Sequence, residues 1–232
     1  MRKIVAIGGG ELRLGETKKI DQYIVELTGK ENPSFLFIPT ASHDAEGYIE
    51  TAIKQFGELG CKVQALCLFS TDKTAEEIRD TILSSDIIYV GGGDTETMMK
   101  KWSEFHVDCY LREAYEKGIV LSGLSAGSIC WFIAGHSDSE FFDESNKNPQ
   151  YRWVQGLGLI PYLHCPHYDE QERGSFDEFM RGQAAEGIAL ENCVALVSLN
   201  GHLSIIKANA EKKAYKISYR NGQIFKNELN AI

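Results

Sequence analysis

The sequence predicts an α/β protein: a mostly parallel sheet with helices on both faces, followed by C-terminal antiparallel hairpins. Three observations predict it. Short apolar runs alternate with segments of helical period through the first half of the chain, the pattern of a parallel sheet sandwiched by helices. Most of those runs are apolar along their length, as strands buried on both faces must be. Near the end, strand-like runs are joined by turns such as Asn200-Gly201, and Asn221-Gly222 marks a further one. That is hairpin chemistry, expected at an edge of the main sheet.

The elements follow in order. Lys3 to Ile7 is an apolar strand ending in Gly8-Gly9-Gly10. Arg13 occupies the last position of a would-be G-x-G-x-x-G, so these glycines read as a tight turn at a strand end, not a dinucleotide fingerprint. Ile20, Tyr23, Ile24 and Leu27 recur at helical spacing. Ser34 to Ile38 is the second strand, and Ile49, Ala52, Ile53 and Phe56 mark the next helix. Lys62 to Leu66 is a third strand, and Thr74 caps a helix that reaches Leu83. Asp86 to Val90 is a fourth, followed by Gly91-Gly92-Gly93-Asp94-Thr95 and helices around Met98–Trp102 and Leu111–Lys117. Ile119 to Ser122 then runs into Gly123-Leu124-Ser125-Ala126-Gly127, a Gly-x-Ser-x-Gly pentapeptide in a strand-turn-helix setting. Gly135 to Pro149 is polar and acidic and reads as a long loop. Leu157–Pro161 and Tyr162–His167 are short extended pieces, and Phe176, Phe179 and Met180 lie on a helix. Cys193–Leu199, His202–Ala208 and Ala214–Tyr219 are the terminal strands. No repeat or interdomain linker interrupts residues 1–232, which read as one domain.

Composition narrows the function. The formal net charge of −9 at pH 7 argues against a general nucleic-acid binder. No apolar stretch is long enough to span a bilayer, and the first ten residues do not form a signal peptide; a cytoplasmic protein is expected. The six cysteines are scattered without a C-x-x-C pair, as suits reduced, buried thiols better than disulfides or zinc.

The pentapeptide points to nucleophilic catalysis by Ser125, because a serine needs a sharp, small-residue turn to present its hydroxyl. Its base should be a histidine. His167, with Pro166 fixing the backbone before it, is the favoured candidate, and His164 the alternative. His164, His167 and Asp169 could in principle hold a metal, but Pro166 breaks the helix that this spacing would need; no metal and no cofactor are expected. The orienting carboxylate is expected in the acidic loop, among Asp138, Glu140, Asp143 and Glu144. An oxyanion hole needs preorganised N–H donors. Ala126 supplies one, and the glycines of 91–93, chiefly Gly92 and Gly93, supply the other.

Together, Tyr89-Val90-Gly91-Gly92-Gly93-Asp94-Thr95, the Ser125 pentapeptide and Cys165-Pro166-His167-Tyr168 resemble the dipeptidase E family of serine peptidases, which includes aspartyl dipeptidases and, more distantly, cyanophycinases. The resemblance implies a class I glutamine-amidotransferase-like fold with serine where the amidotransferases have cysteine. It implies Ser125 as nucleophile, His167 as base and an acid after the elbow helix, best matched by Asp138 with Glu140 next. It also implies a small peptide substrate, in some members with N-terminal aspartate held by an arginine, for which Arg173 is the candidate; Asp94 is taken as a second substrate-binding residue, and the resemblance suggests a homodimer. The rival readings are an α/β-hydrolase-type esterase, whose histidine would normally lie nearer the C-terminus, and a catalytically inactive binding or regulatory protein on the same fold.

Overall fold

The computed structural model describes residues 1–231 and contains two sheets with helices packed around them. The first sheet is built from β1 (Lys3–Ile7), β2 (Ser34–Ile38), β3 (Lys62–Ala65), β4 (Ile87–Val90), β5 (Val120–Leu124), β10 (Val194–Leu199) and β11 (His202–Lys207). Its order is β11-β10-β1-β5-β4-β2-β3. The five strands from β1 to β3 in that order are parallel, and β10 joins β1 antiparallel.

Why β1 needs no polar face is plain from its alternation. Ile4 and Ala6 face one apolar core, Val5 and Ile7 face another, and all four are fully buried. The first core is closed by α3 (Ala75–Leu83), α4 (Thr95–Glu104) and α5 (Val107–Lys117), and the second by α1 (Lys18–Glu26) and α2 (Glu46–Glu58). The predicted cap of α3 is a full capping box: Thr74 Oγ1 accepts the Glu77 N–H, and the Glu77 carboxylate accepts the Thr74 N–H.

The second sheet was not foreseen. It comprises β6 (Phe132–Ser137), β7 (Arg152–Gln155), β8 (Ile160–Cys165), β9 (Gly187–Leu190), β12 (Ala214–Arg220) and β13 (Gln223–Glu228), in the order β13-β12-β9-β8-β6-β7. Three expectations are corrected by it. Residues 135–137 belong to β6 and 139–142 form a 3-10 turn, so the acidic stretch is only partly loop. The two extended pieces around Tyr162 are one strand, β8. Of the terminal strands, β10 and β11 extend the first sheet, but β12 and β13 belong to the second. The physical reason is pairing: β9, missed in the sequence, offers its edge to β12. Phe132, Ile160, Ile188 and Ala214 join the first sheet's core, while α7 (Phe176–Phe179) covers the opposite face through Phe176. No helix among the described residues is long and apolar enough to cross a membrane.

Candidate active site

The three Gly-rich turns singled out in the sequence follow β1, β5 and β4, which are neighbours at the centre of the first sheet. Their carboxyl ends therefore lie side by side, where ligands bind in parallel sheets. Ser125 follows β5 and begins α6 (Ala126–Ile129), a single turn. Its backbone sits at φ 58°, ψ −113°, a conformation that costs a non-glycine residue energy and tends to be kept for function. The flanking glycines are required by contact: a Cβ on Gly127 would lie 2.1 Å from the Val90 carbonyl oxygen, and one on Gly123 2.3 Å from that of Gly127. The elbow thus packs its backbone directly on β4.

The expected base arrives from the second sheet. β8 ends at Cys165, Pro166 follows, and His167 sits at φ 53° with its N–H donating to the Gly8 carbonyl at 2.9 Å. Its Nε2 lies 2.8 Å from Ser125 Oγ. The ring lies against the first triglycine turn, where a Cβ on Gly9 would come within 2.4 Å of Nδ1. Those glycines make the floor of a histidine site.

Nδ1 faces two groups that the sequence reading missed. Asn192 Oδ1 is 2.8 Å away and Glu170 Oε1 3.1 Å. The Asn192 amide donates to Glu170 at 3.2 Å and to Asp169 at 3.1 Å, and its backbone N–H donates to Asp169 at 2.8 Å. This network fixes the amide orientation, since only Oδ1 toward the ring lets Nδ2 meet two carboxylates. Asp169 is held in turn by Lys212. The His167 hydrogen bond holds the Glu170 carboxyl below its ordinary range. With Nδ1–H directed at Asn192 and Glu170, Nε2 is left as the acceptor for the serine proton.

The carboxylate expected for the triad is placed elsewhere. Asp138 pairs with Arg173 Nη2 at 2.8 Å, and Glu140 accepts from Gln150 N–H and Asn146. Neither is among the hydrogen-bond partners of His167. Because β6 carries the chain on to Ser137, Asp138 emerges beside Arg173. Arg173 itself is 2 % exposed. Nη1 donates to the His136 carbonyl at 2.9 Å, and the guanidinium lies over the Tyr151 ring at 4.8 Å. It is a buried strut between β6 and the turn that carries Glu170, with no open face for a substrate carboxylate. Asp94 caps α4: its carboxylate accepts the N–H groups of Glu96 and Thr97 and the Thr97 hydroxyl. It also lines an open cavity of about 410 Å³ with Glu140, Lys100 and Arg152.

Of the expected oxyanion donors, Gly92 lies against Ser125, with a Cβ there 3.3 Å from Ser125 Cβ. Its N–H, however, donates to the Tyr48 hydroxyl at 3.2 Å. The N–H groups of Gly93 and Ala126 have no protein acceptor among the described residues. His164, the alternative base, is fully buried and bonded to Ser128 and Ile188, away from the Ser125 hydroxyl. His164 is bonded to Ser128 and Ile188, whereas Asp169 and His167 meet through Asn192, so the three do not face one point.

Known proteins resemble this chain in sequence and in fold. The sequence model of Peptidase family S51 matches residues 4–206. The chain is 32 % identical over 229 residues to "Uncharacterized peptidase YgaJ" of Bacillus subtilis (strain 168), covering 97 % of this chain and 95 % of that one. It is 25 % identical over 180 residues to "Peptidase E" of Haemophilus influenzae, covering 77 % and 76 %. Two crystal structures share the fold. A peptidase from an acI-B1 Actinobacterium has a TM-score of 0.75 at 20 % identity, covering 100 % of this chain and 95 % of that one. A putative peptidase E from Listeria monocytogenes has 0.65 at 18 %, covering 99 % and 100 %. The chain is a peptidase and belongs to peptidase family S51.

Proposed function

We propose that the protein is a serine peptidase of the dipeptidase E type, one domain on a class I glutamine-amidotransferase-like fold, hydrolysing small peptides in the cytoplasm. The observation that carries this reading is the 2.8 Å contact between Ser125 Oγ and His167 Nε2 at a strained, glycine-flanked elbow. In the reaction, His167 Nε2 takes the Ser125 proton as Oγ bonds to the peptide carbonyl carbon. The tetrahedral oxygen is held by the N–H groups of Ala126 and Gly93. The C–N bond then breaks, the amine leaves with the proton from His167, and water repeats the sequence to release the acyl group. Asn192 and Glu170 keep the imidazole in the tautomer this needs and stabilise its charged form, the role of the third triad member.

An N-terminal aspartate preference is not part of the reading, because Arg173 is already occupied by Asp138. A dipeptide panel with acidic, neutral and basic N-termini, run beside p-nitrophenyl esters, tests the proposal. The expected result is dipeptide hydrolysis that Ser125→Ala removes without loss of fold. Ester hydrolysis alone would point to an esterase. Folded protein inert toward both, or undiminished activity in Ser125→Ala, would overturn the reading.

A further inference from the structure

Three residues after the nucleophile and three before its base lies a second serine–histidine pair. Ser128 Oγ and His164 Nε2 are 2.8 Å apart, and both side chains are fully buried. His164 Nδ1 lies 2.9 Å from the Ile188 carbonyl on β9, and the ring stacks on Phe132 at 4.1 Å. Burial pushes the imidazole down to about 3, so it is neutral. A carbonyl can only accept, so the single ring proton belongs on Nδ1 and Nε2 is an acceptor. Ser128 must therefore be the donor. Its oxygen also lies 2.7 Å from the carbonyl oxygen of Ser125, so one hydroxyl proton is shared between His164 and the nucleophile's own backbone.

We propose that Ser128 and His164 are positioning residues for the reaction: together they set the plane of the Ser125–Ala126 peptide and hence the aim of the Ala126 N–H into the oxyanion hole. The inference rests on the serine-peptidase reading above. The link is covalent. The Ser125 carbonyl and the Ala126 N–H belong to one planar peptide unit and point in opposite directions, so whatever holds the first aims the second. Backbone N–H groups of Ser128 and Ile129 also reach that carbonyl, at 2.8 and 3.0 Å, but they belong to the same short turn and move with it. The Ser128 hydroxyl differs because His164 and Ile188 fix it from the second sheet. The same sheet delivers His167, so nucleophile, base and oxyanion donor are referenced to one frame. Substrate cannot reach the pair, which separates this role from that of a second nucleophile.

The test uses the best dipeptide from the panel and a peptide aldehyde, whose adduct with Ser125 places an oxygen in the oxyanion hole. For Ser128→Ala, kcat should fall about 10- to 100-fold, less than the full loss of an oxyanion donor, with KM within about twofold. Aldehyde affinity should fall by a similar factor while affinity for the product amino acid holds. His164→Gln, which keeps a polar group where Nε2 stood, should retain most of the activity; His164→Leu should behave like Ser128→Ala. If the change at His164 unfolds the protein, Ser128→Ala decides alone. A folded Ser128→Ala with unchanged kcat and aldehyde affinity, or one whose loss falls on KM, would overturn the inference and leave the Ser125 reading standing. Wild-type protein that neither hydrolyses nor binds the aldehyde would overturn both.

Discussion

Replacing Glu170 and Asp138 in turn separates the acid the structure places at the base from the acid the sequence pointed to. Glu170 Oε1 is 3.1 Å from His167 Nδ1. A unit charge pair at that distance is worth about 5 kcal/mol at an effective dielectric of about 20, and about 1.3 kcal/mol in bulk water. The Glu170 side chain is 48 % exposed, so solvent screens it toward the lower figure. Asn192 at 2.8 Å also retains part of the orienting role. Glu170→Gln should therefore lose about 1.5–3 kcal/mol of transition-state stabilisation, roughly 10- to 100-fold in kcat, with little change in Tm. Asp138→Asn should do the reverse. It leaves the buried Arg173 guanidinium without its counter-charge, which costs up to about 3–5 kcal/mol of stability, while kcat in the remaining folded protein falls less than threefold or so. Steady-state kinetics beside urea unfolding reads both. A kcat collapse in Asp138→Asn at unchanged stability, with Glu170→Gln at wild-type activity, would refute the assignment.

Further outcomes follow from the same contacts. Gly127→Ala should destabilise the fold by about 3 kcal/mol or prevent folding, because its Cβ would meet the Val90 carbonyl oxygen at 2.1 Å and backbone cannot yield cheaply; urea midpoints measure this. Arg173→Leu should lower stability and affect acidic and neutral dipeptides equally, since Asp138 and the His136 carbonyl, not substrate, lose a partner; a selective rise in KM for acidic N-termini would contradict the strut. Asp21 is 3 % exposed, and burial raises its carboxyl to about 7. The folded state thus binds more protons than the unfolded one between pH 4 and 7. This group's stabilising contribution is complete below pH 4 and is lost as pH rises through 7, by up to about 4 kcal/mol. Asp21→Asn should remove that part of the pH dependence, read as the difference between wild-type and variant urea midpoints at pH 5 and 8.

What the sequence made legible was whatever a local rule dictates. The elbow could be found because backbone packed on backbone demands glycine at 123 and 127, and residue identity records that demand. The floor under His167 was visible as Gly8-Gly9-Gly10, although its purpose was not. The orienting groups were hidden for opposite reasons. Asn192 reaches His167 from a loop 25 residues later, and no local pattern marks an asparagine for this task. The one available signal is its place just beyond the carboxyl end of β9, a strand the reading had missed. Glu170 lies in plain view three residues after the base, in a run of acids that reads as solvated surface. Asp138 drew attention because it stands in a polar stretch, yet it neutralises an arginine whose burial could not be read from sequence.

The two serine–histidine contacts show why distance alone cannot assign a role. Each pair is 2.8 Å apart, and each histidine has an acceptor at Nδ1. They differ in what surrounds them. Ser128 and His164 are fully buried and sit within a regular turn and a regular strand, so their proton has nowhere productive to go. Ser125 and His167 both sit at positive φ, at the ends of strands from different sheets, and both are partly exposed. The Nδ1 partner of His164 is a neutral carbonyl, which can orient a ring but does little to stabilise its charge. His167 faces a carboxylate as well, the partner that the proposed proton transfer calls for. Backbone strain and a charged Nδ1 partner therefore distinguish the pair proposed to react from the buried one, where both are absent.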